Sequence, residues 1–481
     1  MRKIYLLVIF YLISSTGYCQ PMLSKHEMME DMDSLEAVIL HYDFLLPLME
    51  ERTNSSFKNK FTSLKQEISS ISTTFDFTNL VRRGLNILND GHTGITNKSS
   101  IKWFVDNSYL NSVGNVSLRD TLYADYYNTL ITDSIFRECK SGIRAVYIDG
   151  KYYVARPFSD QGVPIKIGEE IKRIDDRDIH SFVGENYDQM FFLMWDNNHK
   201  RWYSDFFMLA MPLLHKPVFT LTIGDRDVII NSAVIADNLE KEKYQAPSSP
   251  KVMLLDDDML YIYMPMMMNK QWYMNEIRKT YTADVKKIII DIRNNSGGDD
   301  SVWADILSAL IDKPFTYRYY VGMFYDAKLK DAISSFGDVK TDNNRMTVSQ
   351  ERIISPDSNS VHFAGKIFIL QDKYTYSAAS ALVSAARQDK DRFTVIGEKS
   401  ALISGYTFPP VLFKLKNSGI VFRLAFSGDI TGGEQNKYMD KIDVEMQNDI
   451  STYLEKLYQY DRLSNDYLLQ RDKLIQYVKS Q

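Results

Sequence analysis

With 481 residues, 44% of them hydrophobic and 25% charged, the chain is too long for one compact core and ordinary in balance, so two or three soluble domains are expected. A formal charge of −5 removes the electrostatic case for nucleic acid or an anionic membrane surface as partner. Tyrosine (31) and phenylalanine (25) are plentiful, but without a basic stripe they read as core rather than as base-stacking platforms.

Residues Met1 to Gln20 carry Arg2 and Lys3, then an apolar run from Ile4 to Ile13, then small and polar residues ending in Tyr18-Cys19-Gln20. This is the three-part pattern of a secretory signal peptide, with cleavage expected after Cys19. Lipid attachment at Cys19 is the competing reading; it calls for a small residue where Tyr18 stands. The apolar run is too short to span a bilayer, and no later segment reaches the roughly 18 apolar residues of a membrane span. Only Cys139 then remains, which excludes an internal disulfide and a thiolate metal site. Export with so little cysteine suits a bacterial periplasmic, outer-envelope or secreted protein.

From Met22 to Leu88 apolar residues recur at threes and fours (Leu35, Val38, Ile39; Leu64, Ile68, Ile71; Leu80, Leu85, Leu88), predicting a small helical bundle within residues 20–100. It stops at Asn89-Asp90-Gly91-His92-Thr93-Gly94, which sets His92 on a loop between glycines. The stretch Trp103 to Leu130 carries no clear period.

Short strands dominate from Ile143 to Ile230, beginning with a hairpin around Asp149-Gly150. The run Val163 to Ile179 follows, then a helix expected near Ser181 to Met194 and a last strand at Phe219 to Ile223. This order resembles a PDZ domain, with Glu169 in place of the usual aspartate and Asp176 in place of the turn glycine, and implies a PDZ-like module over residues 140–245 that binds extended peptides by strand addition.

A Pro/Ser stretch at Ala246 to Lys251 marks the next boundary. Beyond it strands alternate with helices: Met259 to Pro265, Trp272 to Tyr281, Lys287 to Ile292, Ser301 to Ile311, Lys366 to Leu370, a helix through Arg387, and Thr394 to Gly397. Such alternation predicts an α/β domain with a mostly parallel sheet over residues 251–448. Residues 316–362 are rich in Asp, Asn and Ser, break the alternation and read as an insertion or lid. Two strands follow around Asn417-Ser418-Gly419, and residues 449–481 read as a charged helical tail.

Two places could carry chemistry. Asn294-Asn295-Ser296-Gly297-Gly298 joins a strand to a helix, and such a turn frees backbone N–H groups to face an oxyanion; it also suits an ordinary βα connection. Ser377 opens a helix of small residues beside the N–H of Ala378, as a nucleophile with an adjacent donor does; a serine there also suits a helix N-cap.

Ile288 to Gly298 (IIIDIRNNSGG) is similar to the Leu-Asp-Leu-Arg-Asn-Asn-Pro-Gly-Gly signature of the C-terminal-processing, tail-specific serine peptidases, with Ser296 in place of proline. Tyr374 to Ser380 and Val395-Ile396-Gly397-Glu398 resemble that family's nucleophile segment and following strand. The resemblance implies a ClpP/crotonase-like core with a mixed sheet, preceded by the helical bundle and PDZ-like module. The family's bacterial branch places a lysine in the loop after Gly397-Glu398, where this chain has no match; Lys399 reads as a surface charge. Gly91-His92-Thr93 instead resembles the tricorn-like branch, which uses a histidine base, a group whose ordinary pKa of about 6.5 suits the task. That branch adds a glutamate, for which Glu434 matches in spacing without the following Pro-Asp. The resemblance thus implies an exported serine endopeptidase acting on peptides or unfolded proteins, with Ser377 as nucleophile, His92 as base, Glu434 supporting the histidine, and the N–H groups of Gly298 and Ala378 as oxyanion donors. No metal or cofactor is called for. Rival readings are a catalytically inactive peptide- or partner-binding protein on the same fold and a plain esterase using the same serine.

Overall fold

The first helix is fixed by its own cap: Ser24 accepts from Glu27 N while the Glu27 carboxylate accepts from Ser24 N, and the helix Lys25–Tyr42 then buries Met28, Met32, Leu35 and Ile39 along one stripe. The computed structural model describes residues 22–107, 110–114, 116–122, 124–237, 239, 249–402, 405, 407–433, 442–447, 449–452, 454 and 461–481. Glu434 and the leader through Cys19 lie outside the described residues. Helices Leu46–Thr53, Phe57–Gln66 and Thr74–Asn86 complete the bundle expected from the period. Helices continue past residue 100, as Lys98–Asn107 and Ala124–Glu138, through the stretch whose mixed polar and aromatic residues hid any period.

The β-rich middle builds on a sheet ordered Arg226–Asn231, Val218–Ile223, Glu170–Ile174, Lys151–Val154, Ala145–Ile148. The helix expected at 181–194 is shorter, Ile179–Glu185, started by Asp178 accepting from His180 N and Ser181 N. Met194–Asp196 pairs instead with Arg201–Tyr203 as a hairpin, because Trp195 and Trp202 face each other across it. The strand Val218–Ile223 is followed by one more, Arg226–Asn231, at the sheet edge.

Downstream, a mixed six-stranded sheet is ordered Lys251–Leu255, Met259–Tyr263, Lys287–Asp291, Lys366–Gln371, Phe393–Gly397, Val444–Glu445; the first pair is antiparallel and the rest parallel. Alternation along the strands serves two cores. Ile288, Ile290, Ile367 and Ile369 pack with Trp303 and Leu382, while Ile289, Phe368 and Leu370 pack with Leu468, Leu474 and Val478. The charged tail therefore covers the second face of this sheet through helices Asn465–Gln470 and Lys473–Ser480. Among the described residues no helix is long and apolar enough to cross a membrane.

Residues 316–362 are more ordered than their composition suggested. Phe315–Phe324, Arg345–Ile354 and Asp338–Asp342 form an antiparallel sheet with Ser427–Asp429, and Asn343, at φ 50°, makes the tight turn of its hairpin. A small sheet of three strands joins the two halves of the chain: Gly94–Ile95 pairs with Val421–Leu424, which pairs with Val411–Lys414.

Candidate active site

The three-stranded sheet that joins the two halves decides where His92 goes. Gly94 pairs with Arg423 and Ile95 with Phe422, Ala425 N donates to Thr93 Oγ1, and Arg423 Nη2 donates to the Gly91 carbonyl at 3.1 Å. The loop is further shaped by Asp90, whose Oδ1 accepts from His92 N at 2.8 Å in a turn closed by its own side chain. Gly91 passes directly over the Tyr376 ring, where a Cβ would stand 2.8 Å from Cε1. The result is a separation of 3.0 Å between His92 Nε2 and Ser377 Oγ.

Ser377 reaches its place by an uncommon backbone. At φ 56° and ψ −127° it sits where residues with a Cβ are strained, immediately before the helix Ala378–Ala386. Its side chain makes no cap bond to that helix, so the N-cap alternative does not describe it. Gly297 lies against it, since a Cβ there would stand 2.5 Å from Ser377 Cβ and 3.0 Å from Ala378 N. The Gly297–Gly298 turn is held to the preceding segment by Met267 N donating to Gly297 O (2.9 Å) and Asp299 N donating to Met267 O (3.0 Å). That rung does not use the Gly298 N–H, and Ala378 N–H, opening its helix, has no intrahelical acceptor.

On the far side of the imidazole are two groups that sequence reasoning passed over. The Tyr376 hydroxyl is 2.8 Å from His92 Nδ1 and donates to Asp90 Oδ1 at 2.6 Å, while Nδ1 and Oδ1 are themselves 3.5 Å apart. With Nδ1 protonated, Nδ1–H donates to the phenol oxygen while the phenol O–H donates to the carboxylate, and each proton stays on its own atom. Burial pushes the Asp90 carboxyl up, but the hydrogen bond and charge of His92 and the Tyr376 hydroxyl outweigh it and leave the carboxyl below its ordinary range. A signal existed in the sequence: Asp90 stands two residues before His92, and Tyr376 is the direct neighbour of Ser377.

The remaining candidates are accounted for separately. Lys399 Nζ pairs with Glu445 at 3.4 Å, and Lys373 Nζ donates to the Tyr147 carbonyl at 2.6 Å. Arg293, within the glycine-turn signature, is an internal clamp: its guanidinium bridges Asp291 and, at 2.7 Å, Asp472. A cavity of about 530 Å³ lies between the β-rich module, the strand ends and the C-terminal helices, lined by residues that include Tyr147, Trp195, His199, Lys373 and Arg462. Neither Ser377 nor His92 is in its wall. Among the described residues no group of three His, Cys, Asp or Glu could hold a metal ion.

Residues 258–444 match the model of peptidase family S41. No curated protein matches by sequence. The fold is similar to mature CPAF complexed with lactacystin, with a TM-score of 0.55 at 12% identity over 95% of this chain and 98% of that one. It is likewise similar to mature CPAF, with a TM-score of 0.53 at 13% identity over 94% and 98% of the two chains. The family match includes Ser377 and stops short of His92, whereas the fold similarity runs over nearly the whole chain.

Proposed function

We propose, from the match of residues 258–444 to the model of peptidase family S41, a family of serine proteases, that this chain is an exported endopeptidase that cleaves extended segments of peptides or unfolded proteins with a serine and histidine pair. The single observation carrying this reading is the 3.0 Å approach of His92 Nε2 to the hydroxyl of a strained Ser377. Ser377 Oγ attacks the peptide carbonyl while Nε2 takes its proton. The imidazolium that forms keeps its Nδ1–H directed at Tyr376 and the Asp90 carboxylate, so the charge is neutralised where it arises. The carbonyl oxygen, now an anion, accepts from the N–H groups of Gly298 and Ala378. His92 then returns the proton to the leaving amine, and water repeats the sequence to release the acyl group.

Export rests on the leader pattern of Met1 to Gln20, and Glu434 is a second carboxylate for the same imidazole by resemblance. Recruitment of the substrate by a PDZ-like module is supported by the edge strand Arg226–Asn231 of the middle sheet, where exposed Ile229 lies and a strand can be added; at the other edge Tyr147 N already donates to Asp205 and its carbonyl accepts from Lys373. The test is covalent. A fluorophosphonate should label the wild-type protein at Ser377, S377A should neither label nor turn over a casein-type substrate, and both should melt alike. Undiminished peptidase activity in S377A, or no labelling of the wild type at any pH, overturns the assignment.

A further inference from the structure

The segment that holds the glycine turn also exposes apolar surface beside it. After the strand Met259–Tyr263 the chain reads Met264-Pro265-Met266-Met267-Met268-Asn269, then enters the helix Lys270–Thr280. Met264 and Met267 are fully buried, but Met266 is 47% exposed, Met268 52% and Trp272 38%. Met268 N donates to Met266 O at 3.0 Å, a three-residue turn that brings those two residues together about the buried Met267. Met268 and Trp272 are four residues apart across the start of the helix, where Trp272 N donates to Asn269 O.

Position gives the patch a use. Met267 is tied by backbone hydrogen bonds to Gly297 and Asp299, and Gly297 lies in contact with Ser377. From Ser377 to Met266 or Met268 is therefore only about 10 Å, two or three Cα spacings. A substrate in extended conformation advances about 3.3 Å per residue, so a side chain two or three residues from the cleaved bond comes to this level. Methionine is the apolar side chain that adapts to different shapes, and exposed apolar clusters of this kind mark contact surfaces.

We propose that Met266, Met268 and Trp272 form a specificity platform for a large apolar side chain, aromatic or long aliphatic, two or three residues from the scissile bond. This deepens the peptidase reading and rests on it. The substrates are then apolar segments that a folded protein hides and an unfolded one exposes. The contact is made alike before and during the reaction, so its loss raises KM more than it lowers kcat.

The experiment scans a fluorogenic peptide with Phe, Leu, Ser or Glu at each of four positions on either side of the cleaved bond. Wild type should favour Phe or Leu over Ser and Glu by about tenfold or more at a position two or three residues away. In M266S/M268S/W272S, and in the milder M268Q, that preference should shrink towards unity while fluorophosphonate labelling of Ser377 keeps its wild-type rate. A flat scan in labelled wild type, or a preference that survives both variants, overturns the platform and leaves the peptidase reading standing. Absence of labelling in wild type instead removes the reading beneath it. Should the variants change only the sedimentation coefficient, with the preference intact, the patch joins copies of the chain and the proposal fails.

Discussion

Ser377 keeps a Cβ at a backbone conformation that costs about 1–3 kcal/mol, a strain tolerated because it aims Oγ at His92 rather than at the helix end. Replacing it by glycine should relieve that strain and replacing it by alanine should not, so S377G should melt above S377A in a thermal scan, both being inactive. At the other end of the network the phenol of Tyr376 and the carboxylate of Asp90 act on Nδ1. Y376F should lower kcat about ten- to hundredfold, the effect of removing a hydrogen bond to a group that becomes charged. D90N should lower it further. Asp90 also gives a pH sign. Its folded carboxyl is held below the ordinary range, so the stability it contributes is present above about pH 4 and is lost as pH falls through the depressed value. Asp43 has the opposite sign: burial, then the charge of nearby Asp90, pushes its carboxyl well up, so its contribution is present at low pH and is lost as pH rises through the raised value. D43N, which keeps an oxygen to accept from Leu45 N, should therefore raise the melting temperature at pH 7, with the gain vanishing below about pH 4.

At the scale of elements, Arg293 shows how a signature that points to chemistry also holds the fold. It sits among Asp291, Tyr261 and Asp472, joining the strand before the glycine turn to the first residue ahead of the last helix. Removing it alone leaves two buried carboxylates uncompensated, so R293M should cost about 3–5 kcal/mol in urea unfolding, and R293M/D472N should recover part of that. The core strands were legible because β-branched runs such as Ile288 to Ile290 end at glycine or asparagine turns. The sheet within residues 316–362 was not, because Asp342-Asn343-Asn344 reads as loop when it is a hairpin turn with positive φ at its centre. The alternating burial of Phe315, Tyr317, Tyr319 and Val321 was present in the sequence all along. Asp90 is hidden in the same way: Asp-Gly signals a turn in the sequence, whereas its bond from the Tyr376 hydroxyl arises only in the fold.

At the scale of the whole molecule, the meeting of His92 and Ser377, 285 positions apart, depends on the two halves of the chain folding onto each other. A single apolar core runs from Met28 and Leu35 through Phe182 and Phe219 to Phe422 and Phe426. Polar contacts fix the register of that contact. Asp31, fully buried, accepts from Asn417 N and Ser418 N, Tyr127 donates to the Ser418 carbonyl at 2.6 Å, and Trp195 N donates to Ala401 O. Local sequence could name the serine and the histidine loop, but it could not reveal a hairpin turn seated against two helices, one 387 and the other 291 residues upstream of Ser418, because that fit is a matter of shape and buried hydrogen bonds. Since the tie is non-covalent and extensive, the chain should tolerate a break at the Pro/Ser stretch between residues 245 and 246. Fragments 20–245 and 246–481, produced together, should copurify and recover fluorophosphonate labelling of Ser377 and peptide turnover, and T96P in the first fragment should abolish both by removing the N–H that donates to Val421 O next to the pairing of Ile95 with Phe422. The second fragment alone should not label, because its serine lacks a base; labelling without the first fragment means that the proton acceptor lies downstream and is not His92.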